Sequence, residues 1–293
     1  MNKTALHLPL RAAKPRQTGL TMVIDGGIPL WQFTDVVSSA AEYIDFVKFG
    51  WGTAVVTNSL HAKIEVLGAN QIGYYVGGTL FEKYVLQDRF DDFRKFCAEH
   101  ECQHVEVSNG TISMSNSEKA SYIRKLADDF TVVSEVGFKD PVRSEQLPPR
   151  MWVEYIEEDL EAGASLVTLE ARESGKSGIC RPDGALRFGL IEDVLASGIS
   201  PQRLLFEAPT TALQAHFVTR LGPDVNLGNV PAQGIIGLET LRLGLRADTL
   251  TAYLGGIEVE RMRWAPMVNG CVLRWPGYRA QFQQVNPAER QDR

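Results

Sequence analysis

Apolar and polar positions alternate in blocks along this chain. Short β-branched runs end in polar, glycine-bearing loops, and each loop gives way to apolar residues spaced three and four apart. The first run, Gly19-Leu-Thr-Met-Val-Ile-Asp25, stops at Gly26-Gly27, and Pro29 opens a helix through Phe33, Val36, Val37 and Ala40. The second, Tyr43 to Gly50, leads to a helix capped at Asn58 with Leu60, Ile64 and Leu67 on one face. The third, Gln71 to Val76, runs into Gly77-Gly78-Thr79, and an amphipathic stretch covers Phe90 to His100. The fourth, His104 to Ser108, precedes a helix capped at Ser115 or Ser117. The fifth, Thr131 to Gly137, is followed by Lys139 and then by a long helix after Pro148-Pro149, ended by Gly163. The sixth, Ser165 to Glu170, precedes a helix from Phe188 to Ala196. The seventh, Arg203 to Glu207, precedes a helix through Leu213, Phe217 and Leu221. The eighth, Asp224 to Leu227, precedes one through Leu238, Leu241 and Leu245.

Helices between consecutive strands impose parallel pairing, because a parallel crossover needs a dozen or more residues. Eight such units predict an α/β fold, a (β/α)8 TIM barrel over residues 19–250 with a C-terminal extension. An open doubly wound sheet is the alternative, weakened by the lack of Gly-x-Gly-x-x-Gly after the first strand. Residues 1–18 read as a flexible N-terminal arm, without the apolar centre of a secretory signal. Residues 251–293 carry Arg, Trp and Pro but no strand–helix period, and read as an appendage suited to packing on a neighbouring subunit.

Composition narrows the function classes. The chain has 293 residues, 44% hydrophobic and 23% charged, which is ordinary for a globular protein with a large core. A net charge of −6 argues against a nucleic-acid partner, yet a local group of Lys and Arg can still hold an anionic substrate. No apolar run approaches the ~20 residues of a membrane span. Cys97, Cys102, Cys180 and Cys271 form no Cys-x-x-Cys pair, and the five histidines show no zinc spacing. A reduced cytoplasmic protein, a homo-oligomer acting on small anionic molecules, is the expectation.

A closed parallel barrel aims all its strand C-termini at one face, so polar residues far apart in sequence meet there. Those residues are Asp25, Lys48, Thr79, Glu106, Glu135, Lys139, Glu170, Arg172, Glu207 and Asn226. A carboxylate at a strand end can simply bond loop amides. Acids on adjacent strands also suit a hard divalent cation, Mg²⁺, and by position the ligand candidates are Glu106, Glu135 and Glu170. Lys48, Lys139, Arg172 and Lys176 suit a phosphorylated, carboxylated small molecule, with Arg172 able to make two parallel bonds to one anion. The amides from Ser174 through Gly175 to Gly178 can form an anion nest. This loop is not a Walker loop, since that motif needs glycine where Glu170 stands. Gly77-Gly78 beside Thr79 allows close backbone approach to a ligand, or simply a tight turn. Asn226 and Asn229 stand where barrels often bind phosphate.

Taken together, these loops resemble the phosphosulfolactate synthase family, which opens coenzyme M biosynthesis. The matching pieces are Asp45-Phe-Val-Lys48-Phe-Gly-Trp-Gly-Thr53, Gly77-Gly-Thr-Leu-Phe-Glu82, Glu135-Val-Gly137 with Lys139, and Glu170-x-Arg172-Glu-Ser-Gly-Lys176. Phe206-Glu-Ala-Pro209, Asn226-Leu-x-Asn229 and Leu238-Glu-Thr-Leu-Arg-x-Gly-Leu-Arg246 complete the set. The resemblance implies a barrel, Mg²⁺, and addition of sulfite to C3 of phosphoenolpyruvate to give (2R)-2-phospho-3-sulfolactate, a lyase reaction. It implies Lys139 as the proton donor to an aci-carboxylate, with Lys48 and Arg172 in the catalytic set. The substrate set is Asp25, Thr79, Ser174, Gly175, Lys176, Glu207, Asn226 and Asn229. Two pieces depart from the archaeal pattern. Asp25-Gly26-Gly27 replaces Asp-Lys-Gly, and Asn109-Gly110-Thr111 replaces Asp-Gly-Ser. The departures admit the same enolate chemistry with another nucleophile or acceptor. Relatives linked to heat tolerance admit a non-catalytic, stress-associated barrel.

Overall fold

The computed structural model describes residues 5–253 and two short strands, Met267–Val268 and Cys271–Val272. The chain divides into two compact units, Met1–Tyr253 and Leu254–Arg293. The first unit reaches slightly beyond the expected boundary, because the Tyr253 hydroxyl donates to Val218 O at 2.8 Å. From residue 254 onward the expected C-terminal extension lies outside the described residues except for its two strands, which pair antiparallel.

Eight parallel strands form the first unit's sheet: β1 (Thr21–Asp25), β2 (Phe46–Phe49), β3 (Gly73–Val76), β4 (His104–Val107), β5 (Thr131–Val136), β6 (Ala164–Leu169), β7 (Leu204–Glu207) and β8 (Leu227–Pro231). Their hydrogen-bonded order is β3-β2-β1-β8-β7-β6-β5-β4. The two end strands, β3 and β4, stand beside each other, so the sheet is a nearly closed barrel. At that seam the Tyr74 hydroxyl donates to His100 O at 2.8 Å. The α-helices that follow the strands are α1 (Leu30–Ala40), α2 (Thr53–Val56), α3 (Leu60–Ala69), α4 (Gly78–Val85), α5 (Phe90–Glu99), α6 (Asn116–Ala127), α7 (Pro141–Gln146), α8 (Pro149–Glu161), α9 (Phe188–Ala196), α10 (Thr211–Leu221) and α11 (Ile235–Arg242). Among the described residues no helix is long and apolar enough to cross a membrane.

Local chemistry explains most boundaries. Ser115 caps α6 in a reciprocal arrangement with Glu118, which contributes about 1 kcal/mol. Proline at its first position opens α8, and Gly163, at φ +113°, supplies the left-handed turn beyond it. Three helices were not legible in the sequence: α2 is a single turn after Trp51-Gly52. Gly77-Gly78 disguises α4, and α7 is a six-residue turn capped by Asp140, whose carboxylate accepts from Arg143 N at 2.8 Å. At α3 the expected Asn58 cap is replaced by Ser59, without a side-chain bond.

The strands alternate faces. Outward residues such as Val23, Val47, Val105, Val132, Val167 and Phe206 pack against the helices in one continuous core. Inward residues Met22, Tyr75, Val133 and Leu205, with Phe46 and Leu166, form a small separate plug inside the barrel. Arg242, fully buried, closes the N-terminal end by donating to Val225 O and Leu20 O. The arm expected to be flexible is tied down from residue 11 onward. Arg11 pairs with Asp224 and Glu239, and Arg16 with Asp45.

Candidate active site

Period-two alternation carries the inward-facing residues of the strands directly to the site. Two positions above Phe46 stands Lys48; above His104, Glu106; above Val133, Glu135; above Leu205, Glu207. Glu170 follows β6 four residues after Leu166. Barrel interiors normally hold bulky apolar side chains at this level. Here the level is ionic, and Lys48, Glu106, Glu135, Glu170 and Glu207 are all at most 4% exposed.

The charges are arranged around two ammonium groups. Lys48 Nζ lies 3.3 Å from Glu106, 3.2 Å from Glu207 and 4.0 Å from Glu135. Lys139 Nζ, partly exposed at the mouth, bonds Glu135 and lies 2.7 Å from Glu170. Backbone amides hold the remaining carboxylate oxygens. Gly78 N donates to Glu106 at 2.6 Å, Ala171 N to Glu207 at 2.8 Å, and Arg172 N to Glu170 at 2.5 Å. Asn229 Nδ2 also donates to Glu207.

Burial and mutual repulsion shape the protonation. Burial, then the neighbouring Glu170 charge, pushes Glu135 up to about 7. Burial also raises Glu106, and burial followed by Glu207 raises Glu170. For Lys48 burial acts downward, but Glu106, Glu207 and Glu135 outweigh it and hold the ammonium well above its ordinary value. Lys139 follows the same pattern, with Glu135 and Glu170 outweighing burial. Both lysines therefore stay charged among acids that do not all ionise readily.

Lys48, Thr79, Glu106, Glu135, Lys139, Glu170, Arg172, Glu207 and Asn229 line one cleft at the C-terminal mouth, with Trp51, Gly77, Gly78 and Glu173. Three of these, Trp51, Arg172 and Asn229, are non-glycine residues at φ of 52°, 59° and 50°. Such backbone concentrates where a site over-determines local geometry. Carboxylate oxygens of Glu135, Glu170 and Glu207 lie within 4.8 Å of one another, the separation that suits one metal ion. The sequence grouped Glu106 with Glu135 and Glu170. In the structure the acid grouped with them is Glu207, while Glu106 accepts from Gly78 N and Lys48.

Residues 9–248 match the family described as (2R)-phospho-3-sulfolactate synthase (ComA). The chain belongs to the phosphosulfolactate synthase family. A phosphosulfolactate synthase of Bacillus subtilis (strain 168) is 50% identical over 249 residues, 85% of this chain and 99% of that protein. One of Methanothermobacter thermautotrophicus is 39% identical, covering 85% and 98%. The Arabidopsis thaliana protein HEAT-STRESS-ASSOCIATED 32 is more distant, at 22% identity over 79% and 88%.

Not every residue singled out from the sequence reaches the mouth of this phosphosulfolactate synthase family barrel. Asn226 lies at the opposite end. It precedes β8, accepts from Leu20 N at 3.0 Å, and donates to Gln202 O and Leu204 O. The eighth strand begins at Leu227, later than expected, so Asn226 falls before it and links the start of β1 to that of β7 at the barrel floor. Asp25 ends β1, but its carboxylate accepts from Gly27 N and Ile28 N and pairs with buried Lys63 at 2.5 Å. Ser174, Gly175 and Lys176 sit further along the β6 loop, outside the lining of the cleft. Gly175, at φ +64°, packs toward Thr210 and Leu213, while Ser174 and Lys176 are exposed. Trp51 and Glu173 were missed as mouth residues. Trp51 belongs to a segment shared with the family, Phe-Gly-Trp-Gly-Thr53, which was the available signal.

Proposed function

We propose that this chain is a carbon–sulfur lyase of phosphosulfolactate synthase type. It adds sulfite to C3 of phosphoenolpyruvate and yields (2R)-2-phospho-3-sulfolactate. Membership in the family supports the reaction class. The observation that carries the mechanism is Lys139, an ammonium held between Glu135 and Glu170 at the rim of the cleft.

The residues present fit a divalent cation. Four buried carboxyl groups, Glu106, Glu135, Glu170 and Glu207, share two ammonium groups, Lys48 and Lys139. Full ionisation leaves two negative charges uncompensated, and burial together with the neighbouring Glu170 charge pushes Glu135 up to about 7. Glu135, Glu170 and Glu207 would hold Mg²⁺ through hard oxygens. When bound, the ion supplies positive charge against the dianion that develops during addition.

The protein's own groups have three tasks. Lys48, Lys139 and Arg172 bring two mutually repelling anions into one cleft, which is a large part of the barrier to this addition. As the sulfur–carbon bond forms at C3, the C2–C3 π pair moves into the carboxylate, and these fixed cations face the growing charge. Lys139 then delivers a proton to C2 and regains one from solvent; as an ammonium at neutral pH it carries the proton that this step needs. In this reading Ser174, Gly175 and Lys176 of the β6 loop belong to the binding of the substrate phosphate. Cytoplasmic residence and homo-oligomerisation accompany it as expectations.

The test is loss of enolpyruvate absorbance with Mg²⁺ and sulfite together, and the product's phosphorus resonance. Absence of turnover at every metal and sulfite concentration overturns the proposal. A second reading keeps the enolate chemistry and changes the nucleophile. It is favoured by Gly26, which puts no cation beside the Trp51 ring at the end of β1. Screening other anions against phosphoenolpyruvate by phosphorus NMR separates the two.

A further inference from the structure

One buried acid takes no part in the ion-pair cluster. Glu82, 2% exposed on α4, has no cation partner among the described residues, and its Oε2 bonds nothing. Burying a carboxyl group is costly, and here only the hydrogen bonds to its second oxygen offset that cost. Its other oxygen, Oε1, accepts from Ser108 Oγ at 2.6 Å and from Thr111 N at 3.3 Å. Both donors belong to the loop that leaves β4.

Glu82 stands four residues after Gly78, so the two share one face of α4. That face grips the end of β4 twice, one helical turn apart. Gly78 N donates to Glu106, and Glu82 holds Ser108 and Thr111. The fit requires glycine at 78, since a Cβ there would lie 2.5 Å from Ser108 Oγ. The grip falls at the β3–β4 seam, where the barrel's hydrogen-bonded order ends.

The loop so held touches Lys139 directly. Gly110 O accepts from Lys139 N at 3.0 Å. A Cβ on Gly110 would stand 3.4 Å from Lys139 Nζ and 3.0 Å from Gly137 O, so the loop's path sets the space for the ammonium. We propose that Glu82 is a positioning residue for Lys139, acting through the Ser108–Thr111 loop. This inference rests on the reading of Lys139 as proton donor only for its effect on turnover; the placement of the ammonium is tested independently.

The experiment compares Glu82→Ala, Glu82→Gln and the parent protein, with Lys139→Met as reference. Lysines labelled at Cε report the Lys139 environment by NMR, the resonance being assigned by its loss in Lys139→Met. Glu82→Ala is expected to shift that resonance and to lower kcat on the order of 10²-fold with KM for phosphoenolpyruvate unchanged. Glu82→Gln keeps an acceptor for Ser108 and Thr111, so it restores the resonance and most of kcat. An unmoved Lys139 resonance in Glu82→Ala overturns the proposal, whatever happens to kcat. A resonance that moves while Lys139→Met turns over like the parent upholds the positioning and removes the donor role. Should Glu82→Ala fail to fold, Ser108→Ala, which deletes the 2.6 Å bond and keeps the carboxyl group, is read by the same criteria.

Discussion

The Lys139 ammonium stands 2.7 Å from the Glu170 carboxylate, across 31 residues of chain, while its other partner, Glu135, lies only four residues before it. One acid ends β5 and the other follows β6. The ammonium is therefore held in the gap between two adjacent strands rather than by its own loop.

Lys139→Met is expected to lower kcat by about 10²–10⁴-fold, the range for removing a general acid. The same substitution leaves Glu135 and Glu170 without their cation, so the carboxyl groups shift further toward the protonated form. Steady-state kinetics with a melting curve on the same sample checks both. Parent-like turnover would exclude Lys139 as proton donor.

Glu135 ties stability and metal binding to pH. Its folded value is raised from an ordinary 4.5 to about 7. Between those values the folded protein holds a proton that the unfolded chain releases. This group's contribution to stability is full below the lower value and is lost as pH rises through the upper one. A divalent cation reverses the disadvantage by binding the ionised form. The rise in melting temperature caused by Mg²⁺ is thus expected to be larger at about pH 8 than at about pH 6. Equal shifts at both would remove Glu135 from the metal site.

Asn226 and Asn229 are expected to behave oppositely although three residues apart. Asn226→Ala strips partners from Leu20 N, Gln202 O and Leu204 O at the floor. A loss of about 2–3 kcal/mol of stability follows, with kcat and KM unchanged in the folded fraction. Asn229→Ala frees Glu207 in the cleft and should alter kcat or metal affinity more than stability. Denaturant titration beside kinetics distinguishes them.

Gly178→Ala is expected to be among the most damaging single substitutions in the barrel. A Cβ at this residue, held at φ +63°, would lie 1.7 Å from Glu170 O. The loop returning past Glu170 would have to move, carrying the carboxylate away from Lys139. Little folded protein, or a folded protein with weakened metal binding, is the expected result. A stable variant with parent kinetics would show that the loop can reroute.

The strands were legible where β-branched residues sit between clear turn signals, as in Thr131 to Val136. The eighth was misplaced because its residues, Leu-Gly-Asn-Val-Pro, are poor strand formers, while the preceding Asp-Val-Asn-Leu looks more like one. Asn226 therefore lies at the opposite end of the barrel from the one its sequence context suggests. The β6 loop shows a different limit. Its charges were read correctly as polar and glycine-linked, but only Arg172 and Glu173 line the cleft, because the left-handed turn at Gly175 carries the loop toward Thr210 and Leu213.

By itself the amino-acid sequence determined the eight-fold strand and helix period, the barrel that follows from it, and the family shared by its loops. Those are local properties: side-chain period, turn residues and short segments in order. Only the tertiary structure decided that Glu207 rather than Glu106 joins Glu135 and Glu170, that Asp25 is spent on Lys63, and that Glu82 stands behind the β4 loop. Each depends on which way a side chain turns once neighbouring strands are in register, and that choice is made by partners far away in the chain.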